Sequence, residues 1–358
     1  MQFFHRGADL YSVGGISVLI ERGPNMQGTK IELSGRETQI CTRVLWDNHG
    51  CMPLRPDARF LPQLERYRAG GVSVVSLNVG FGNMSALEHL HILSFMRYWI
   101  SQHSDKYQLV RHIDDVYRCR SEDKLGITFD IEGMNPVFGY LCFVQTFYEL
   151  GVRWMLIAYN RNNKAGGGCL DDDIGLTPIG KEIVDEMERV GMVLCLSHTG
   201  QRTAAEAMEY SRNPVIFSHS NPYSDNPHPR NVSDALMKAC AKSGGVVGLS
   251  GIRPFLGESE SLVEKLVKQI SYVIDLIGPD HVGIGLDYVF DRSELEELRR
   301  ANPSLFSPRQ SGSGNGDNVS PESMLEIADR LGRMNLTESQ IRGILGENWM
   351  RIAKQVWK

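Results

Sequence analysis

The sequence predicts an α/β protein, a closed (β/α)8 barrel. Two observations carry that expectation. Eight short, nearly continuous apolar runs rich in β-branched residues alternate with longer helix-like stretches: 42–49, 71–79, 125–132, 152–160, 191–198, 214–219, 244–250 and 281–288. Strands apolar on both faces belong to a parallel sheet covered by helices, and eight such units over roughly 250 residues is the number that closes a barrel. The second observation concerns the alternative, a doubly wound open sheet. That fold carries a glycine-rich phosphate loop after its first strand, whereas the first run here ends in Asp47-Asn48-His49-Gly50-Cys51.

In chain order, residues 1–41 form a preamble. Ile16–Glu21 and Thr29–Leu33 read as short strands around the turn Gly23-Pro24-Asn25, a small β segment expected to pack on the barrel. The barrel is assigned to 42–334. Its helices are expected near 60–69, 84–102, 137–150, 178–190, 201–212, 233–243, 260–277 and 320–332. Thr177-Pro178 and Ser233 read as helix starts, and Gly70, Gly151, Gly191, Gly244 and Gly278 fall where helices should end. Residues 291–319, rich in Ser, Gly and Asn, read as a long loop, a lid or disordered. Residues 335–358 read as C-terminal helices capping the barrel.

The composition of the 358 residues is ordinary for a soluble domain, with 42% hydrophobic and 23% charged residues. A net charge of −5 without a basic block argues against nucleic acid and against an anionic membrane surface. Seven scattered cysteines, mostly inside apolar runs, fit reduced thiols and a cytoplasmic location better than a disulfide framework. The N-terminus has no signal-peptide pattern, and no apolar run is long enough to span a bilayer.

The chemistry collects at strand ends. In a barrel these converge on one face. The first run supplies His49 and Cys51, the third Asp130 and Glu132, the fourth Tyr159 and Asn160, the fifth His198, the sixth His219 and the eighth Asp287. A polar residue must end each buried strand, so any one of them is unremarkable alone. Three histidines, a Glu and an Asp ending five separate runs point together to a metal site. Two imidazoles plus a carboxylate suit zinc, one ion or two with a bridging carboxylate.

The segments Gly175-Leu-Thr-Pro-Ile-Gly-Lys, Leu196-Ser-His-Thr, Pro214-Val-Ile-Phe-Ser-His-Ser-Asn, Arg230-Asn-Val-Ser-Asp and Val282-Gly-Ile-Gly-Leu-Asp resemble the membrane (renal) dipeptidase family, peptidase family M19 of the amidohydrolase superfamily. The resemblance runs from about residue 40 to the C-terminus. It implies a zinc-dependent hydrolase that cleaves the amide of a dipeptide or a dipeptide-like N-acyl amino acid with a metal-activated water. It implies Glu132 as the carboxylate bridging two zinc ions, His198 and His219 on the second zinc and His49 on the first. It also implies that Asp287 handles the proton of the attacking water and that Arg230 binds the substrate carboxylate. Asn160 is expected to contact substrate.

Two positions depart from the family pattern. His-x-Asp reads His49-Gly50-Cys51, and the histidine that polarises the scissile carbonyl is replaced by Tyr159, whose hydroxyl can still donate to an oxyanion. Cys51 has three readings: a thiolate zinc ligand, as in the similar N-acyl-D-amino-acid deacylases; a lost ligand that leaves one metal on His198 and His219; or a nucleophile, for which no paired base is evident. Lactone opening, deamination and a non-catalytic barrel binding a metal or a small acid are the alternatives to amide cleavage. The expected partner is a small molecule bearing a carboxylate, and a homodimer is the expected assembly if there is one.

Overall fold

The computed structural model describes residues 8–13, 16–21, 43–306 and 318–358, with side chains described from residue 43 onward. The chain divides into two compact units, residues 1–43 and 44–358. In the first, Ala8–Val13 pairs antiparallel with Ile16–Glu21. The second of these strands is the one expected; its partner lay in a stretch the sequence left unassigned. Thr29–Leu33 falls outside the described residues.

The second unit is the barrel. Its strands are β1 (Trp46–Cys51), β2 (Val74–Phe81), β3 (Leu125–Glu132), β4 (Val152–Leu156), β5 (Val193–Cys195), β6 (Ile216–Phe217), β7 (Val246–Leu249) and β8 (Val282–Ile284). Each pairs in parallel with the next. Ile284 of β8 pairs with Asp47 of β1 and closes the cylinder. All eight runs read from the sequence are therefore strands, and their burial on both faces explains why they show no alternation.

The eight expected helices are present, from Glu65–Ala69 behind β1 to Met324–Leu331 behind β8. Thr177 caps its helix by accepting from the Gly180 amide, with Pro178 at the first helical position. Gly191 ends that helix at φ 93°, a conformation that costs glycine nothing.

Several elements escaped the sequence reading, the short helix Arg253–Leu256 among them. Tyr107–Leu109 adds a short strand outside β3. Ile113–Ser121 is a helix anchored by buried Val116 and Cys119. Within the stretch expected to be loop or disordered, Arg292–Ala301 is helical and Pro303–Leu305 forms a 3-10 turn; residues 307–317 lie outside the described residues. Asp291 explains the helix: its side chain accepts from the amides of Ser293 and Glu294.

The helices Glu338–Arg342 and Asn348–Val356 close the end of the barrel opposite the strand C-termini. Trp349 donates from Nε1 to the Ile284 carbonyl at 3.2 Å. Its ring occupies the space beside Gly283, where an added Cβ would lie 2.6 Å from it. Among the described residues no helix is long and apolar enough to cross a membrane.

Candidate active site

The C-terminal ends of the strands open into one polar mouth. Asn160, His198 and Asp287, just past β4, β5 and β8, hold φ of 60°, 62° and 60°. Left-handed backbone is costly for a side-chain-bearing residue, and only one other non-glycine among the described residues adopts it. At each strand end the turn swings the side chain inward. Strain concentrated on three residues of one mouth marks a functional site.

At the centre lies a triangle. His198 Nε2 and His219 Nε2 are 3.0 Å apart, and Glu132 Oε1 is 3.3 and 3.2 Å from them. His49 Nε2 stands 3.7 Å from the same oxygen, its ring stacked on that of His219 at 4.0 Å. The outer nitrogens of these rings are fixed by neighbours. Asn160 Oδ1 accepts from His198 Nδ1 at 2.7 Å. That tautomer follows from the other end of the amide, where Nδ2 donates to the Leu305 carbonyl at 2.9 Å. Ser218 Oγ shares a 2.7 Å hydrogen bond with His219 Nδ1. Asp130 accepts from His49 Nδ1 at 3.3 Å and is itself held by Ser76 Oγ at 2.7 Å and Asn78 Nδ2 at 3.0 Å. Three Nε2 atoms are thereby aimed at one carboxylate oxygen, with the outer nitrogens secured as in metal-binding histidines.

The electrostatics agree. Burial, then Arg230 and His49, hold His198 well below the ordinary imidazole range; burial, His49 and Arg230 do the same to His219. The neutral imidazole is the form that binds a metal. Burial pushes Glu132 up to about 8. Burial alone would lower His49, but Asp130, Glu132 and Asp287 outweigh it and raise it to about 10. Glu132 Oε1 is buried and has no hydrogen-bond partner. A buried carboxyl oxygen left without a hydrogen-bond partner among imidazole nitrogens is an arrangement that a bound cation would satisfy. His49, Glu132 and His219 offer ligand atoms within 4.8 Å of one another, as do His49, Cys51 and Asp287. The donor set fits a divalent metal.

Cys51 Sγ lies 3.5 Å from His49 Nε2 and donates to Asp287 Oδ1 at 3.1 Å. Burial, Asp287 and Glu132 push its thiol well above 9.0. Burial also raises the Asp287 carboxyl. Tyr159 stacks on His198 at 4.3 Å and meets Phe81 in a tilted arrangement at 4.6 Å. Burial, then Glu132, Cys51 and Asp287, keep its hydroxyl protonated. Arg230, 2% exposed, donates to Ser220 Oγ at 3.0 Å and to the His219 carbonyl at 2.8 Å, while its Nε is buried without a partner.

All the residues picked out at strand ends thus reach this mouth. Ser76, Asn78 and Ser218 were missed. Ser76 and Asn78 alternate along β2 and point inward with Asp130 across the register, a polar alternation in an otherwise apolar run that could have signalled them.

The fold is a (β/α)8 barrel, and the carboxylate–imidazole cluster at its C-terminal mouth is a group that could hold a metal ion. Residues 61–302 match the family model of the membrane dipeptidases, peptidase family M19, and the chain belongs to that family. It is 29% identical over 277 residues to an uncharacterized dipeptidase of Schizosaccharomyces pombe, covering 74% of this chain and 62% of that one. It is 32% identical over 192 residues to the dipeptidase tcpJ of Claviceps purpurea, covering 52% of this chain and 45% of that one. The chain therefore spans less than two thirds of either relative. Among solved structures, an amidohydrolase from Pseudomonas aeruginosa superposes with a TM-score of 0.83 at 27% identity, over 90% of this chain and 98% of that one.

Proposed function

We propose that the protein is a zinc-dependent hydrolase cleaving the amide bond of a dipeptide or a dipeptide-like N-acyl amino acid. The observation that carries this reading is the buried, unpartnered Glu132 Oε1 facing the Nε2 atoms of His198, His219 and His49. Nitrogen donors and a thiol favour zinc over the hard cations. His198, His219 and Glu132 would hold one ion; His49 and Cys51, with Glu132 shared, would hold a second. A cation bound there polarises the scissile carbonyl and brings the pKa of a water from about 15.7 toward about 7.

The remaining work falls to the chain's own groups. Asp287 is the general base that takes the water proton and passes it to the leaving amine. The Tyr159 hydroxyl, held protonated, donates to the developing oxyanion. Arg230, whose Nε is buried without a partner, would bind a substrate carboxylate. Asn160, committed at both ends to His198 and Leu305, supports a positioning role rather than substrate contact. Cys51, with its thiol pushed up, is a poor free nucleophile. The six described cysteines are all unpaired, which supports a reducing compartment such as the cytoplasm.

The test is Asp287→Asn, assayed on alanyl-alanine stereoisomers and N-acylalanines with metal content followed in parallel. The proposal expects unchanged metal and a loss of turnover of about 100-fold or more. Turnover retained at wild-type metal content rejects the assigned role.

A further inference from the structure

We infer that the acyl half of the substrate is an uncharged apolar group, aromatic by preference, so that this site takes N-acyl amino acids ahead of dipeptides with a free ammonium. The inference rests on the hydrolase reading above and narrows its substrate class.

The barrel's own order sets the direction of the substrate. Arg230 follows β6 and holds onto the His219 carbonyl. In a closed ring of eight, the strand opposite β6 is β2. A substrate whose carboxylate meets Arg230 and whose carbonyl lies over Glu132 extends its acyl half toward the end of β2. That end is Phe81, which pairs across the sheet with Glu132.

Phe81 is not alone there. Its ring centre is 4.6 Å from that of Tyr159 and 6.2 Å from that of Phe306, and Tyr159 and Phe306 meet edge-on at 6.2 Å. Phe81 and Tyr159 are partly exposed and Phe306 is buried behind them, so the open face of the wall is that of Phe81 and Tyr159. Phe306 comes from the strap after Arg292–Ala301, which is held down where Leu305 accepts from Asn160 and Ser304 accepts from Arg161. Three rings from three separate elements form an apolar wall beside His198, a surface on which an aromatic acyl group would pack offset or edge-on.

The wall offers an ammonium ring faces, a cation–π contact, but no carboxylate. Among the described carboxylates at this mouth, Glu132 and Asp287 face the metal centre, Asp130 is taken by His49, Ser76 and Asn78, and Asp171 by Arg161. A charged α-amino group placed on the rings would lose its hydration without gaining a carboxylate. An acylated nitrogen or a bare arylacyl group loses nothing comparable. The reaction is a balanced hydrolysis: the water oxygen bonds to the acyl carbon, the C–N bond breaks, and the proton moves to the amine. The products are a free carboxylic acid and an amino acid.

The test is calorimetric binding to zinc-loaded Asp287→Asn protein, so that affinity is read without turnover. The probes are N-phenylacetylalanine, N-acetylalanine and phenylalanyl-alanine. The inference expects N-phenylacetylalanine to bind at least about tenfold tighter than the other two. In the same background Phe306→Ala should erase most of that preference, and Phe81→Leu, which keeps apolar volume, should reduce it several-fold. Phenylalanyl-alanine binding as tightly, no binding by any probe, or a preference untouched by both substitutions would overturn the inference. If the preference is found but wild-type protein hydrolyses none of the three, the wall stands and the hydrolase reading falls.

Discussion

Asn160 joins His198 to the strap over the mouth: its Oδ1 accepts from His198 Nδ1 at 2.7 Å, and its Nδ2 donates to the Leu305 carbonyl at 2.9 Å. One amide thus fixes a ligand's tautomer and anchors the segment that carries Phe306. Asn160→Leu leaves Nδ1 of His198 without its acceptor, so the ring is no longer held with Nε2 toward Glu132. Zinc affinity, measured by chelator competition, should fall about 10- to 100-fold while the circular dichroism spectrum is preserved. Unchanged affinity would show that the ring needs no such support.

The raised pKa of Glu132 makes a signed prediction for metal-free protein. Its folded value, about 8, lies above its ordinary 4.5. Its contribution to stability is therefore fully present below pH 4.5 and is lost as the pH rises toward 8. Glu132→Gln carries no such loss. The stability of the Gln variant relative to wild type should improve steadily between those limits, and saturating zinc should reverse the trend by stabilising wild type alone. Denaturant titrations at several pH values read both effects. A difference independent of pH would mean that the carboxyl is ionised throughout.

Cys51 stands where a thiolate would join His49 and the shared Glu132 around a second ion. With cobalt in place of zinc, wild type should show a thiolate-to-metal charge-transfer band that Cys51→Ser lacks, and zinc content should fall from two ions to one. One ion in both proteins, with no such band, would leave His198, His219 and Glu132 as a solitary site.

At the other end of the barrel Trp349 is a plug. It is 3% exposed, hydrogen-bonded to Ile284 and seated against Gly283. Trp349→Ala should cost about 3–5 kcal/mol in denaturant unfolding, with metal affinity at pH 7 little changed because the site lies at the far mouth. A cost below about 1 kcal/mol would mean that the tail is not part of the barrel core.

How far the sequence carried these conclusions differs by element. The eight strands were legible because parallel strands buried on both faces leave uninterrupted apolar runs, and the candidate ligands could be picked out because each ends one of those runs. The helix Ile113–Ser121 was not, since Asp114, Asp115, Arg118 and Arg120 outnumber the two residues, Val116 and Cys119, that anchor it. Arg292–Ala301 fully buries none of its side chains, and its apolar stripe is only Leu295, Leu298 and Ala301, too slight to stand out in a polar stretch. The supports of the histidines were hidden for a different reason. Whether Asn160 meets substrate or His198, and whether Asp130 binds metal or orients His49, depends on where a turn after one strand points relative to the next. That is set by three-dimensional register and by left-handed backbone at single residues, neither of which is written in local composition.

The central claim is that Glu132 Oε1 and the facing imidazoles exist to hold a cation, and elemental analysis of purified protein tests it most directly. Wild type should retain at least one zinc per chain through dialysis, and the folded His198→Ala, His219→Ala double variant should retain at least one fewer. Protein that folds normally with no tightly held metal, or a double variant that keeps the full wild-type content, would contradict it.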